Sequence, residues 1–233
     1  LGSEALKSSH IAGSVEAAKD YFRQYADSPA EKYMDARGLG EVASRFGIGY
    51  VGSARTGHER SRGMLVIPYA RPAGGDHGVA TLRFRCIADE CVKDENGNYL
   101  APAGKERHEG HGKYQSIPGD HPRLYNTPAL IAPSSYIALS EGEFDAQASE
   151  LAGVPCIAAQ GTSAWRPHFN PALAGYEVVF IVADNDAPGI AAADKRASEL
   201  PNGKVIILGG EGSDINSFVH SQGAAAYRKA LGL

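Results

Sequence analysis

From residue 136 onward, nearly continuous apolar segments alternate with helical ones, and this pattern restricts the fold more than any other feature of the chain. YIALSE (136–141) precedes FDAQASELAG (144–153), and PCIAAQG (155–161) precedes a loop holding Trp165. EVVFIVAD (177–184) then leads into GIAAADKRASEL (189–200), KVIILG (204–209) follows, and two short helical patterns close the chain. A strand with one wet face alternates apolar and polar residues, and these strands do not. Strands buried on both faces and joined by helices imply a parallel sheet with helices on either side. The expected fold class is therefore α/β, with a Rossmann-like parallel sheet over residues 135–233.

Residues 1–134 read differently, as a mixed α/β N-terminal subdomain. VEAAKDYFRQYAD has a helical pattern. In SPAEKYMDARG, Ser28 can cap a helix, Pro29 suits its first position, Glu31 completes a capping box and Gly38 can end it. A short helix through Val42–Phe46 is expected to stop at Gly47. GMLVIPY (63–69) and VATLRFRCIA (79–88) read as strands joined by the turn-rich RPAGGDHG. Residues 89–128 are polar and rich in Gly, Pro and His; within them DENGNY (94–99) reads as a hairpin turn, with Asn96-Gly97 supplying positive φ.

Charge divides along the same line. Residues 37–125 carry 13 Lys and Arg against 10 Asp and Glu, with five of the eight histidines, whereas residues 126–233 carry 6 against 11. A basic middle beside an acidic end suits a polyanion track next to an acid cluster that binds metal. No apolar stretch approaches the roughly 20 residues that span a bilayer. Three cysteines are too few for a disulfide framework, so a cytoplasmic setting is expected, without a membrane partner. The opening LGSEALKSS reads as a trimmed or appended end, and the chain as a possible fragment.

In a doubly wound sheet, ligands bind at the carboxyl ends of the strands. Glu141 ends YIALSE, Asp184 ends EVVFIVAD, Asp186 lies two residues on, and Asp214 in GSDINSF follows KVIILG and begins a helix. Carboxylates gathered on one edge raise one another's pKa unless a cation neutralises them. Oxygen donors without thiolate or imidazole suit Mg²⁺ or Mn²⁺ better than Zn²⁺. Each acid alone has a simpler explanation, because Asp and Glu favour helix starts. An EF-hand reading of DNDAPG fails on spacing, since Pro188 and Lys195 fall where ligands are required.

Taken in order, EGEFD, Gly161-Thr162, ADNDAPG and SDIN resemble the motifs of a Toprim domain, shared by DnaG-type primases, type IA and II topoisomerases and several nucleases. The resemblance covers about residues 135–221 and implies that Glu141, Asp184 and Asp186 are catalytic and bind Mg²⁺, with Glu141 also able to take part in proton transfer. Asp214 matches a further metal-binding acid of primase Toprims. Asp145 matches the acid that ends EGxxD, in a supporting or purely structural role, while Gly142 and Gly189 fit tight turns and close backbone approach.

The N-terminal part resembles the subdomain that precedes Toprim in DnaG-type primases, and in detail those of actinobacterial phages. YMDARGLGEVASRFGIGYVG, RGMLVIPY, LRFR and KYQSIPGDHPRLYN carry this likeness. It implies a primase RNA-polymerase core that makes short RNA primers from ribonucleoside triphosphates on single-stranded DNA, with a replicative helicase as a further candidate partner. Arg62, Arg83 and Lys113 become candidates for template or nucleotide contact; Arg83 and Arg85, two apart on a strand, should share a face. The alternatives are a Mg²⁺-dependent Toprim nuclease and a non-catalytic nucleic-acid-binding module. A topoisomerase would need a nucleophilic tyrosine in a separate domain, for which the chain has little room. Cys86, Cys91, His108 and His111 are spaced C-x4-C-x16-H-x2-H, which argues against zinc because the histidine spacing is too short.

Overall fold

The computed structural model describes residues 13–75, 78–161 and 164–233. The chain divides into two compact units, Leu1–Asp120 and His121–Leu233. The sequence pattern puts this division after residue 134. The structure places residues 121–134 with the second unit, because Leu124–Tyr125 is a strand of its sheet. Among the described residues, no helix is long and apolar enough to cross a membrane.

In the first unit, helix α1 (residues 13–22) precedes α2 (Pro29–Ala36) and the short α3 (Gly40–Ala43). The Ser28 hydroxyl accepts from the backbone N–H of Ala30 and Glu31, as a capping serine should. Glu31 reaches back one residue further than a capping box, accepting from the Asp27 N–H at 2.7 Å. Gly38, with φ +70°, ends the helix by taking the left-handed conformation that a side chain disfavours. These helices accompany an antiparallel sheet of β1 (Gly49–Tyr50), β2 (Leu65–Ala70), β3 (Val79–Arg85) and β4 (Tyr114–Ser116), in that order. Gly49 allows the close approach of β1 to α1, since a Cβ there would lie 2.7 Å from the Tyr21 backbone carbon.

Beyond β3 the strand pattern stops short of Ala88, and the chain turns into α4 (Asp89–Val92). The expected turn follows, closed by an antiparallel bridge between Lys93 and Tyr99. Positive φ occurs there at Gly97 (+81°) but not at Asn96, contrary to expectation. The Asp94 carboxylate bends the turn instead, accepting from the N–H groups of Asn96 and Asn98.

The second unit holds the expected parallel sheet, in the order β5 (Leu124–Tyr125), β7 (Cys156–Ala159), β6 (Tyr136–Ser140), β8 (Val178–Ala183), β9 (Gly203–Ile207). Only β5 runs antiparallel. Its helices are α5 (Glu143–Leu151), α6 (Ala187–Glu199), α7 (Ile215–Gln222) and α8 (Ala224–Leu231). Odd-numbered strand residues, among them Ile137, Leu139, Ile157, Val179 and Ile181, build one core with Ala193 and Leu200. Even-numbered residues such as Ala138, Ala158 and Phe180 are buried on the opposite face, so the near-continuous hydrophobicity reflects two covered faces. The chain leaves β6 toward β7 and crosses back to β8 on its other side. The strand order therefore reverses between β6 and β8, where Rossmann-like sheets open a crevice at their carboxyl ends.

Candidate functional site

Glu141 follows β6 and Asp184 follows β8, two adjacent parallel strands paired Leu139 to Ile181. The topology thus delivers both acids to the crevice. Glu141 Oε1 is buried and has no hydrogen-bond partner among the described residues. Gly189, in the first turn of α6, shows what lies around it. A Cβ there would meet Glu141 Oε1 and Asp186 Oδ1, each at 3.1 Å, and the Asp184 backbone oxygen at 2.5 Å. Two carboxylates from different loops therefore face one small space, which glycine leaves clear.

The electrostatics reflect this crowding. Burial pushes the Glu141 carboxyl above its ordinary range, the Arg196 cation opposes the rise and the nearby Asp186 carboxylate adds to it. Arg196 is itself buried at 3 % exposure, and its Nε and Nη2 have no hydrogen-bond partner among the described residues. Its guanidinium lies 5.8 Å from the centroid of the Trp165 ring. The sequence motifs do not single out this arginine. The available signal is its helical phase, since Gly189, Ala193 and Arg196 form the buried face of α6 and Arg196 takes a place expected to be apolar.

The remaining acids also hold the loops together. Asp186 caps α6 by accepting from the Gly189 N–H at 2.7 Å. Asp214 caps α7 in a capping box with Ser217. Asn185, between the two aspartates, is a structural residue that the motifs do not reveal. Its N–H donates to the Ser213 carbonyl at 2.8 Å, its carbonyl accepts from Gly212 N–H at 2.8 Å, and its side-chain amide donates to Gly209 O at 3.2 Å. Those bonds tie the Asp184–Asp186 loop to the segment leading into Asp214. Asp145 is buried and accepts from the Asn216 N–H at 2.9 Å, joining α5 to the start of α7. Gly142 makes room for it, because a Cβ there would lie 2.5 Å from Asp145 Oδ2. Gly161 N–H donates to the Glu141 carbonyl at 3.2 Å, while Thr162 lies outside the described residues.

The basic candidates belong to the first unit. Arg62 and Lys113 are exposed. Arg83 is half-buried, donates to the Tyr69 hydroxyl at 3.4 Å and lies 5.0 Å from the centroid of Tyr114. Arg85 lies 4.8 Å from the same ring, so the two arginines share a face as strand alternation requires. Arg85, however, faces the interior at 1 % exposure, donating to Glu106 at 2.6 Å and to the Tyr33 hydroxyl at 2.8 Å. Although burial opposes it, the Arg85 and Arg37 cations hold the Glu106 carboxyl well below the usual carboxylate range.

No family model matches the chain. The Gene 57 protein of Mycobacterium phage D29 is 40 % identical to it over 166 residues, which span 71 % of this chain and 95 % of that protein. The chain belongs to the family of this phage Gene 57 protein. For this Gene 57 family member, similar solved structures give the fold. The RNA polymerase domain of Mycobacterium tuberculosis primase DnaG matches with a TM-score of 0.73 at 18 % identity, covering 97 % of this chain and 83 % of that one. A DnaG primase catalytic domain bound to single-stranded DNA matches with a TM-score of 0.71 at 18 % identity, covering 98 % and 80 %. The fold is that of DnaG catalytic cores.

Proposed function

We propose that this chain is the RNA-polymerase core of a DnaG-type primase, joining ribonucleoside triphosphates into short RNA primers on a single-stranded DNA template. The observation that carries this reading is the buried Glu141 Oε1, without a hydrogen-bond partner among the described residues, which faces the same cleared space as the Asp186 carboxylate at the β6–β8 crevice. A carboxylate oxygen left without a donor in such a place is completed by a cation. The donor set fits Mg²⁺ or Mn²⁺, because Glu141, Asp184, Asp186 and Asp214 offer hard oxygen alone. Glu141, Asp184 and Asp186 would hold the ions, with Asp214 as a further ligand; Gly142, Asp145 and Gly189 keep the surrounding turns tight. When bound, the metal would supply electrostatic stabilisation of phosphate oxygens and a more acidic primer hydroxyl.

Primer extension forms a bond from the 3′-oxygen to the α-phosphorus, breaks the α–β phosphoanhydride bond and releases pyrophosphate. The hydroxyl proton leaves in the same reaction, and Glu141, at the crevice edge, is the residue we assign to take part in its transfer. Arg62, Arg83 and Lys113 would hold template or nucleotide phosphates without reading sequence. The DnaG domain bound to single-stranded DNA supports this choice of template.

The test offers single-stranded DNA in Mg²⁺, once with labelled ribonucleotides to reveal primers and once as labelled DNA to reveal cleavage. Ribonucleotide-dependent primers are expected, and Asp184→Ala should reduce them by on the order of 100-fold while the fold is kept. Shortening of the DNA in place of synthesis would make the protein a nuclease, and binding without turnover a non-catalytic module.

A further inference from the structure

Cys86, Cys91, His108 and His111 come together in the first unit, at the end of β3, in α4 and in the polar loop that follows. Their four candidate donor atoms lie within 4.8 Å of one another. Two backbone bonds bring the loop back: Arg107 N–H donates to the Cys91 carbonyl at 2.9 Å, and Cys86 N–H donates to the Lys113 carbonyl at 3.1 Å. Both ends of the histidine segment are thus pinned to the segment bearing the cysteines. Finger spacing rules do not anticipate this, because they describe histidines on a helix, whereas here both lie in an irregular loop.

Hydrogen-bond logic shows what the four groups lack. His111 Nδ1 faces the Glu109 carbonyl at 3.3 Å; a carbonyl only accepts, so Nδ1 carries the proton and Nε2 is a bare lone pair. That single lone pair faces two sulfurs, Cys86 Sγ at 3.3 Å and Cys91 Sγ at 3.5 Å, and cannot accept well from both. His108 Nε2 lies 3.0 Å from Glu106 Oε2, a carboxylate already paired with Arg85 and Arg37, so Nε2 donates. His108 Nδ1 is then a second bare lone pair, buried and without a partner among the described residues. Two imidazole lone pairs and two thiols thus converge, and among the described residues only that of His111 has hydrogen-bond contacts.

We infer that Cys86, Cys91, His108 and His111 bind one structural Zn²⁺ ion. With Zn–S near 2.3 Å and Zn–N near 2.0–2.1 Å, a tetrahedral site sets S···N edges at roughly 3.5 Å, comparable to the two measured contacts. Each histidine already has the outer partner that zinc-bound imidazoles use, a carboxylate for His108 and a backbone carbonyl for His111. On binding, the two thiols lose their protons to solvent, and two thiolates against one Zn²⁺ leave the site neutral, as its buried cysteines demand. The ion would fasten the irregular loop to the end of β3 and, through His108, fix Glu106 against Arg85. It stands apart from the proposed polymerase chemistry and does not depend on it.

The test is the metal content of the whole chain, purified without chelator, followed by zinc X-ray absorption. The expected result is one zinc per chain with two sulfur and two nitrogen neighbours, the sulfurs at about 2.3 Å. Cys91→Ser and His111→Ala should each lose the bound zinc, while Cys156→Ser, at the buried cysteine of the second unit, should keep it. Absence of zinc, a shell of oxygen and nitrogen alone, or full zinc retained in both ligand variants would overturn the assignment. Absorption is read on the unaltered protein, so the assignment stands or falls there even where a variant fails to fold.

Discussion

Glu141 binds its proton more tightly in the folded protein than in the unfolded chain, since burial raises its pKa, Arg196 only partly offsets the rise and Asp186 reinforces it. Between those two pKa values the native state holds more protons, so unfolding free energy falls as pH rises through that window. The cost is fully present above the folded pKa and absent in acid below the unfolded one. Glu141→Gln should therefore stabilise the metal-free protein at neutral pH, by on the order of 1 kcal/mol, because it removes a half-buried charge that Arg196 only partly offsets. The gain should vanish in acid, along with any rise in melting temperature on adding Mg²⁺ or Mn²⁺. A variant less stable than its parent at neutral pH would mean that this carboxylate holds the fold together. Arg196→Met removes the cation opposing the shift, so the acid limb of Mn²⁺ binding should move to higher pH, whereas Arg196→Lys should largely restore it.

At the scale of the element, Asp214 separates two roles that sequence leaves superimposed. As the N-cap of α7 it satisfies the Ser217 N–H at 2.7 Å, and asparagine performs that task about as well. Asp214→Asn should thus keep thermal stability and weaken Mn²⁺ binding if the acid is a ligand, whereas Asp214→Ala should weaken both, costing about 1 kcal/mol of stability. Calorimetry and Mn²⁺ titration on the same pair decide it; unchanged Mn²⁺ affinity in both would confine Asp214 to capping. The elements themselves were legible in unequal measure. The parallel strands and α6 could be read because runs such as VVFIVA carry their own period and length. β5 and β4, with two and three residues, carry no period, and pairing alone makes them strands. Glu141 and Asp184 were legible at the crevice because each directly follows a readable strand. Asn185, Arg196 and the gathering of His108 and His111 were not, because each depends on chain segments brought back from elsewhere in the fold.

For the molecule as a whole, the charge asymmetry has a physical consequence. The candidate phosphate-binding cations Arg62, Arg83 and Lys113 belong to one unit and the candidate metal-binding acids to the other, so the two capacities should fail independently. Cations that track a single strand act by releasing counterions, and affinity then falls with salt along a slope of roughly −0.7 per phosphate neutralised. Arg62→Ala and Lys113→Ala alter exposed side chains, so each should leave the fold and Mn²⁺ affinity intact while weakening single-stranded DNA binding. Each should flatten the log–log salt dependence by about 0.7 where one contact is lost. Asp184→Ala should do the reverse, losing Mn²⁺ affinity with the salt slope unchanged. Fluorescence anisotropy across a salt series reads all three proteins. Slopes unchanged in both basic variants would remove Arg62 and Lys113 from the template track and leave the half-buried Arg83, already stacked on Tyr114, as the remaining candidate of the three.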